Sequence, residues 1–251
     1  MSTTVMKERI AEASPRFKAR IAGVFYLLNI LTGVFAERFV RGRLVVHGDA
    51  AATATNFLAH EPLSRLGFAS ALICVACYVA VTALFYNLFR PVNRSLSLLA
   101  AFFSLVGCAI QASMCLFLLA PLVLLGGTQY LSVFKVEQLQ ALALLFFGLY
   151  GRGWDICLVF FGFYCLLIGY LIFRSTFLPR IVGVLMAIDG LSWLTCGFAS
   201  FLLPPLANYL YRYILPLALL GEGSLTLWLL VIGVNVSRWE ERASVGLASG
   251  A

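Results

Sequence analysis

Six long blocks of apolar residues most constrain what this chain can fold into. They lie at about 19–36, 66–89, 96–120, 154–173, 181–203 and 213–236. Each approaches or exceeds the roughly 20 helical residues needed to cross a hydrocarbon core of about 30 Å. The blocks are continuously apolar and do not alternate, so membrane-spanning strands are excluded in favour of helices. With 62% hydrophobic and only 12% charged residues, the chain lies outside the usual range of soluble domains. The sequence therefore predicts an all-α membrane protein, a six-transmembrane-helix bundle. No Pro-, Ser- or Gly-rich linker divides it, so residues 1–251 form a single polytopic domain.

The net charge of +7 is a topology signal. An even number of spans puts both termini on one side. On that side fall Lys7, Arg9, Arg16, Lys18, Arg20, Arg90, Arg94, Arg174, Arg180, Arg238 and Arg242, against Glu8, Glu12, Glu240 and Glu241. On the opposite side the remaining basic residues are largely offset by Glu37, Asp49, Glu61, Glu137 and Asp155. Basic excess marks the cytoplasmic face, so both termini are expected to be cytoplasmic, in the inner (cytoplasmic) membrane. Topology and anionic lipid account for the charge, and no nucleic-acid partner is implied. No small-x-small cleavage site follows VFAE, so the first block reads as an uncleaved span.

The loops FRPVNRS and FRSTFLPR are minimal. They predict antiparallel hairpins of spans two with three and four with five. The outer segments are longer. Asp49 followed by AAATATNFLAHEP reads as an N-cap and a short helix ending before Pro62. The run Val136–Tyr150 is too short to cross, so an interfacial or re-entrant helix is expected there. RIAGVFYLLNILTG from Arg20 and RIVGVLMAIDGLSW from Arg180 share their arginine, isoleucine, glycine and valine. They also match polar positions, Asn29 with Asp189 and Thr32 with Ser192. A parallel hairpin repeat explains this, as does convergence of two apolar helices after a basic anchor. The second hairpin members share only Gly67 with Gly221 and Ser70 with Ser224.

Polar groups inside spans mark candidate sites, because each costs a few kcal/mol at the bilayer centre. Glu222, Asp189 and Asn29 each lie nine residues past Tyr213, Arg180 or Arg20, roughly 14 Å deep at 1.5 Å per residue. Gln111 sits nearer the outer side and Asp155 at the outer entrance of span four. These five are the candidate substrate or ion site, and no catalytic or metal residue is assigned. Asp189 and Glu222 occupy consecutive antiparallel spans and can approach one another. Two carboxylates in a low dielectric cannot both carry charge cheaply, which is the physics of a proton relay or cation site. The structural alternative is a carboxyl hydrogen-bonded to Asn29, Ser192 or backbone. Most of the remaining serines, threonines and glycines read as close-packing residues.

Cys74-Val-Ala-Cys77 has CxxC spacing, but all seven cysteines fall inside spans and read as small apolar packers. The only histidines, His47 and His60, belong to the first outer segment, which excludes a bundle-embedded bis-histidine haem. No span contains a lysine for a Schiff base, and there is no HExxH or phosphate-binding loop. No cofactor is implied. His47, Asp49, His60 and Glu61 follow no recognised metal template and read as solvated loop residues.

RIAGVFYLLNILTGVFAE, LVVHGDAAATATN, FRPVNRSLSLLAAFFSLVGC, LVFFGFYCLLIGYLIFRSTFLPRIVGVL and LLGEGSLTLWLLVIGVN together resemble a bacterial membrane family known as domain of unknown function 4386. The resemblance runs from about Arg16 to Trp239. It implies a compact polytopic membrane protein and supplies no activity, substrate or catalytic residue. Glu222 within GEGSLTLWLL matches the family pattern, whereas an acidic residue at 189 departs from it. Three functions remain open: a small permease or channel-like protein with a polar midplane site for a small solute or cation, a structural, sensory or partner-binding membrane protein, and a membrane-embedded enzyme acting on a lipid or isoprenoid. The expected partner in every case is the lipid bilayer. Oligomeric state is not encoded in any motif.

Overall fold

The computed structural model describes residues 14–248, and these are helical with no strand among them. Six helices are long and apolar enough to cross a membrane: Pro15–Leu44, Glu61–Phe89, Arg94–Leu125, Val136–Arg174, Arg180–Leu202 and Pro204–Val231. The first consists of α1 (Pro15–Val34), a π-helical segment (Phe35–Arg41) and a last α-turn (Gly42–Leu44). A short helix α2 (Ala50–Ala59) follows, and then the spans α3 (Glu61–Phe89), α4 (Arg94–Leu125), α5 (Val136–Arg174), α6 (Arg180–Leu202) and α7 (Pro204–Val231). Helix α8 (Val236–Ala248) closes the described chain.

Helix starts are set by local chemistry. The side chains of Ser14, Asp49 and Asn93 accept from Phe17 N, Ala52 N and Leu96 N at 3.3, 2.8 and 2.9 Å. Such caps satisfy backbone donors that have no partner in a helix's first turn. Pro15, Pro62 and Pro204 occupy first-turn positions, where a missing N–H costs nothing. The N-cap and short helix expected from Asp49 are present. The separate interfacial helix expected at Val136–Tyr150 is not. That run is the first part of the 39-residue α5, about 58 Å long at 1.5 Å per residue. Its continuity has a packing cause. Phe57 of α2 meets Phe147 edge-on at 5.4 Å, and a Cβ on Gly153 would lie 2.6 Å from Met114 of α4. The first half of α5 thus lies against protein.

Consecutive spans pack as antiparallel neighbours in the order α1, α3, α4, α5, α6, α7, and α7 returns to α1 to close a ring. Both ends of the ring lie on one side: the Arg20 guanidinium donates to Val231 O at 3.4 Å. The tightest seam joins α5 and α6. A Cβ on Gly162 would lie 2.9 Å from Gly190 O, and one on Gly169 would lie 2.8 Å from Gly183 O. Gly190 and Gly183 reciprocate at 2.7 Å from Gly162 O and Gly169 O. Glycines seven apart on each helix therefore meet in register, which lets the backbones approach where no hydrophobic force acts between helices in lipid.

The two spans whose sequences match from Arg20 and Arg180 make some similar contacts. Gly23 seats α1 on Leu229 and Leu230, as Gly183 seats α6 on α5. Thr32 donates to Leu28 O at 2.7 Å and Ser192 to Ile188 O at 2.8 Å, the same local bond at corresponding positions. Their hairpin partners are not alike. Gly67 meets Val40 near the start of α3, while Gly221 meets Asp189 in mid-span.

Candidate carboxylate site inside the helical ring

Asp189 lies on the inward face of α6 and has no solvent exposure. Gly221 of α7 makes its position reachable, since a Cβ there would fall 2.8 Å from Leu185 O. The next residue on α7 is Glu222, which is half-buried. Cys165 of α5 completes the group. One ligand atom from each of Cys165, Asp189 and Glu222 can be chosen so that all three lie within 4.8 Å of one another.

Three phenols surround this group. Tyr26 of α1 and Tyr78 of α3 lie beside the Glu222 carboxylate. Tyr26 meets Tyr78 edge-on with ring centroids 5.8 Å apart, and Tyr78 meets Tyr164 of α5 at the same separation. The hydroxyls of Tyr26, Tyr78 and Tyr164, and both carboxylate oxygens of Asp189, are buried without a hydrogen-bond partner. Buried polar groups are normally paired, so five orphans around one point are a strong departure. The ion pairs among the described residues lie elsewhere: Arg41–Glu37, Arg65–Glu61 and Arg152–Asp155. Two carboxylates with no fixed counter-charge, in a low dielectric, make a site that attracts a proton or a cation.

The five sequence candidates divide among three places. Asp189 and Glu222 come together as expected. Asn29 reaches the same depth but turns to α3, where its amide donates to Cys74 O at 3.0 Å and to Cys74 Sγ at 3.1 Å. Gln111 approaches the same sulfur at 3.9 Å. The expectation of one polar layer shared by three spans is thus corrected, because Asn29 is already satisfied by its hairpin neighbour. Asp155 accepts from the Tyr211 hydroxyl at 3.3 Å and lies 3.8 Å from Arg152. Sequence reasoning missed Tyr26, Tyr78, Tyr164 and Cys165. The available signal was tyrosine in mid-span, away from the interface where membrane tyrosines usually sit.

A second polar group lies at the end of the bundle away from Arg20 and Val231. The π-helical segment brings Glu37 and Arg41 into an ion pair of 3.1 Å, and the Tyr150 hydroxyl donates to Glu37 at 2.5 Å. Beside them is a cavity of about 20 Å³, lined by Val40, Phe57, Ser64 and Phe147 among others, room for about one water. All seven cysteines are free and buried, including the CxxC pair. Asp49 and Glu61 are engaged in the α2 cap and the Arg65 pair.

Fold and site define a multi-pass helical membrane protein with an uncompensated acidic pair inside its bundle. Residues 21–233 match the family described as Domain of unknown function (DUF4386), and the chain belongs to that family. The matched stretch contains both carboxylates, Cys165 and all three phenols. The chain is also similar to an uncharacterized protein of Archaeoglobus fulgidus, 24% identical over 159 residues, which cover 63% of this chain and 78% of that protein. No solved structure matches.

Proposed function

We propose that this protein is a small permease-like protein of the cytoplasmic membrane, with both termini cytoplasmic, that takes up a proton or small cation at Asp189 and Glu222. The observation that carries this reading is Asp189, fully enclosed, with both oxygens unpartnered and a second carboxylate within 4.8 Å. A carboxyl kept as a structural clasp would be expected to have hydrogen-bond partners, since an unmet buried polar group costs about 1–3 kcal/mol. A site that must bind and release a charge has reason to leave its acceptors free. The basic excess on the terminal side supports the orientation.

The test is flux in proteoliposomes containing the purified protein, with a proton or cation gradient imposed. Wild type is expected to dissipate the gradient, with the rate reduced at least tenfold in Glu222→Gln and in Asp189→Asn. Wild-type flux no greater than in protein-free vesicles would overturn the reading.

A further inference from the structure

Taking the carboxylate pair as a cation site, we infer that its occupant is a divalent transition-metal ion of the Zn²⁺ or Co²⁺ class, ligated by Cys165, Asp189 and Glu222. The inference rests on the proposed uptake site and goes beyond it by naming the ion class and a third ligand. The donors come from three consecutive spans, α5, α6 and α7, and point into one space. The thiols of Cys74, Cys115 and Cys157 are engaged in the bundle, the first by Asn29, the others with Gln111 O and Gly107 O. Cys165 makes no such bond, nor do Cys77, Cys108 and Cys196, and what sets Cys165 apart among the described residues is that its sulfur lies beside two carboxylates.

The donor set decides the ion. Calcium takes six to eight oxygens and magnesium a near-ideal octahedron of them. Here two carboxylates share the space with a sulfur. A mixed set of one thiolate and two carboxylates suits borderline ions, and three protein ligands leave a fourth position open. Bonds of about 2.3 Å to sulfur and 2.0–2.2 Å to oxygen require donors roughly 3.3–3.7 Å apart. The present upper separation of 4.8 Å therefore needs an inward movement of about 1 Å. The phenols of Tyr26 and Tyr78 already lie beside Glu222. Once a metal orders the carboxylates, these hydroxyls can hydrogen-bond to the ligand oxygens, the usual outer support of a metal site. The two carboxylates and the Cys165 thiolate together outweigh a divalent charge by one, and binding the ion releases the thiol proton.

The experiment uses the full-length protein in detergent, stripped of metal and titrated with Co²⁺ and Zn²⁺. One equivalent of Co²⁺ is expected to bind, with a sulfur-to-cobalt charge-transfer absorption in the near ultraviolet that Zn²⁺ displaces. The absorption should vanish in Cys165→Ser and Cys165→Ala and persist in Cys74→Ser, while Asp189→Asn and Glu222→Gln weaken binding by more than the roughly 10- to 100-fold that loss of an outer partner of a metal ligand costs. Metal binding with no thiolate absorption in the wild type, or an absorption unchanged in Cys165→Ala, overturns the inference. Glu222-dependent proton or alkali-cation flux in protein that binds no transition metal overturns it too, and leaves the uptake reading standing. Loss of both flux and metal binding removes both.

Discussion

Gly221 of α7 lies so close to Asp189 of α6 that a Cβ on the glycine would fall 2.5 Å from the aspartate Cβ and 2.8 Å from Leu185 O. The other glycine flanking Glu222, Gly223, faces open space, with nothing within 4 Å of the same construction. The two glycines of GEG therefore do different things. Gly221→Ala is expected to force α6 and α7 apart and to cost about 1–3 kcal/mol, as overpacking does. Gly223→Ala should be neutral or stabilising, since alanine exceeds glycine in a helix by about 0.5–1 kcal/mol. Thermal unfolding of both variants in detergent checks the contrast, and equal destabilisation would refute it.

Asp189→Asn should stabilise the metal-free protein while removing cation uptake. The wild type buries a carboxylate with no partner next to a second carboxylate. An amide removes one charge and supplies N–H donors to Glu222 or to the phenols. Hydrogen bonds to charged groups contribute about 1.5–3 kcal/mol, so a rise of about 1–3 kcal/mol is expected. Function sites commonly trade stability for activity in this way. A fall in stability would show instead that Asp189 holds the bundle together.

Depth was legible in the sequence and azimuth was not. Six apolar blocks set six spans, and counting residues from Arg180 and Tyr213 put Asp189 and Glu222 at one level. The same count put Asn29 there, yet its side chain points to Cys74. In lipid the outward and inward faces of a helix are both apolar, so the pattern that orients a soluble helix is weak here. Val136–Tyr150 failed for a related reason. The apolar run is too short to cross by itself, and only the neighbours of Gly151 and Gly153, Arg41 and Met114, show why the helix continues past it. The tyrosines were hidden because their role depends on three helices meeting.

The Glu37–Arg41–Tyr150 group should be independent of the carboxylate pair. Tyr150→Phe removes the donor to Glu37, and Glu37→Gln removes the charge shared by Tyr150 and Arg41. With the Glu37 side chain 29% exposed, each is expected to cost about 1–2 kcal/mol, below the range for fully buried charged bonds. The two losses should not add fully, because Tyr150→Phe removes the bond that Glu37→Gln weakens. Hydrogen exchange over Phe35–Arg41 should rise in both variants, since the π-helical segment loses its tie to α5. Cobalt absorption at Cys165 should not change, and a change would mean that the two groups are coupled.

The paired glycines of α5 and α6 carry the last prediction. At Gly162 and Gly190 the obstructing atoms include each other's carbonyl oxygens, at 2.9 and 2.7 Å from an added Cβ, and the backbone nitrogens of Leu194 and Leu166 at 2.9 and 2.7 Å. Backbone in a packed helix cannot step aside as a side-chain tip can, so the helices must separate along the seam. Gly190→Ala is therefore expected to cost about 1–3 kcal/mol. Gly148→Ala on the same α5, where nothing lies within 4 Å, should be without cost. The seam also sets the separation of Cys165 from Asp189, three residues after Gly162 and one before Gly190. Gly190→Ala should accordingly weaken cobalt binding even at temperatures where the protein stays folded, and Gly148→Ala should leave it intact. Unchanged cobalt affinity in folded Gly190→Ala protein would mean that the α5–α6 spacing does not set the site.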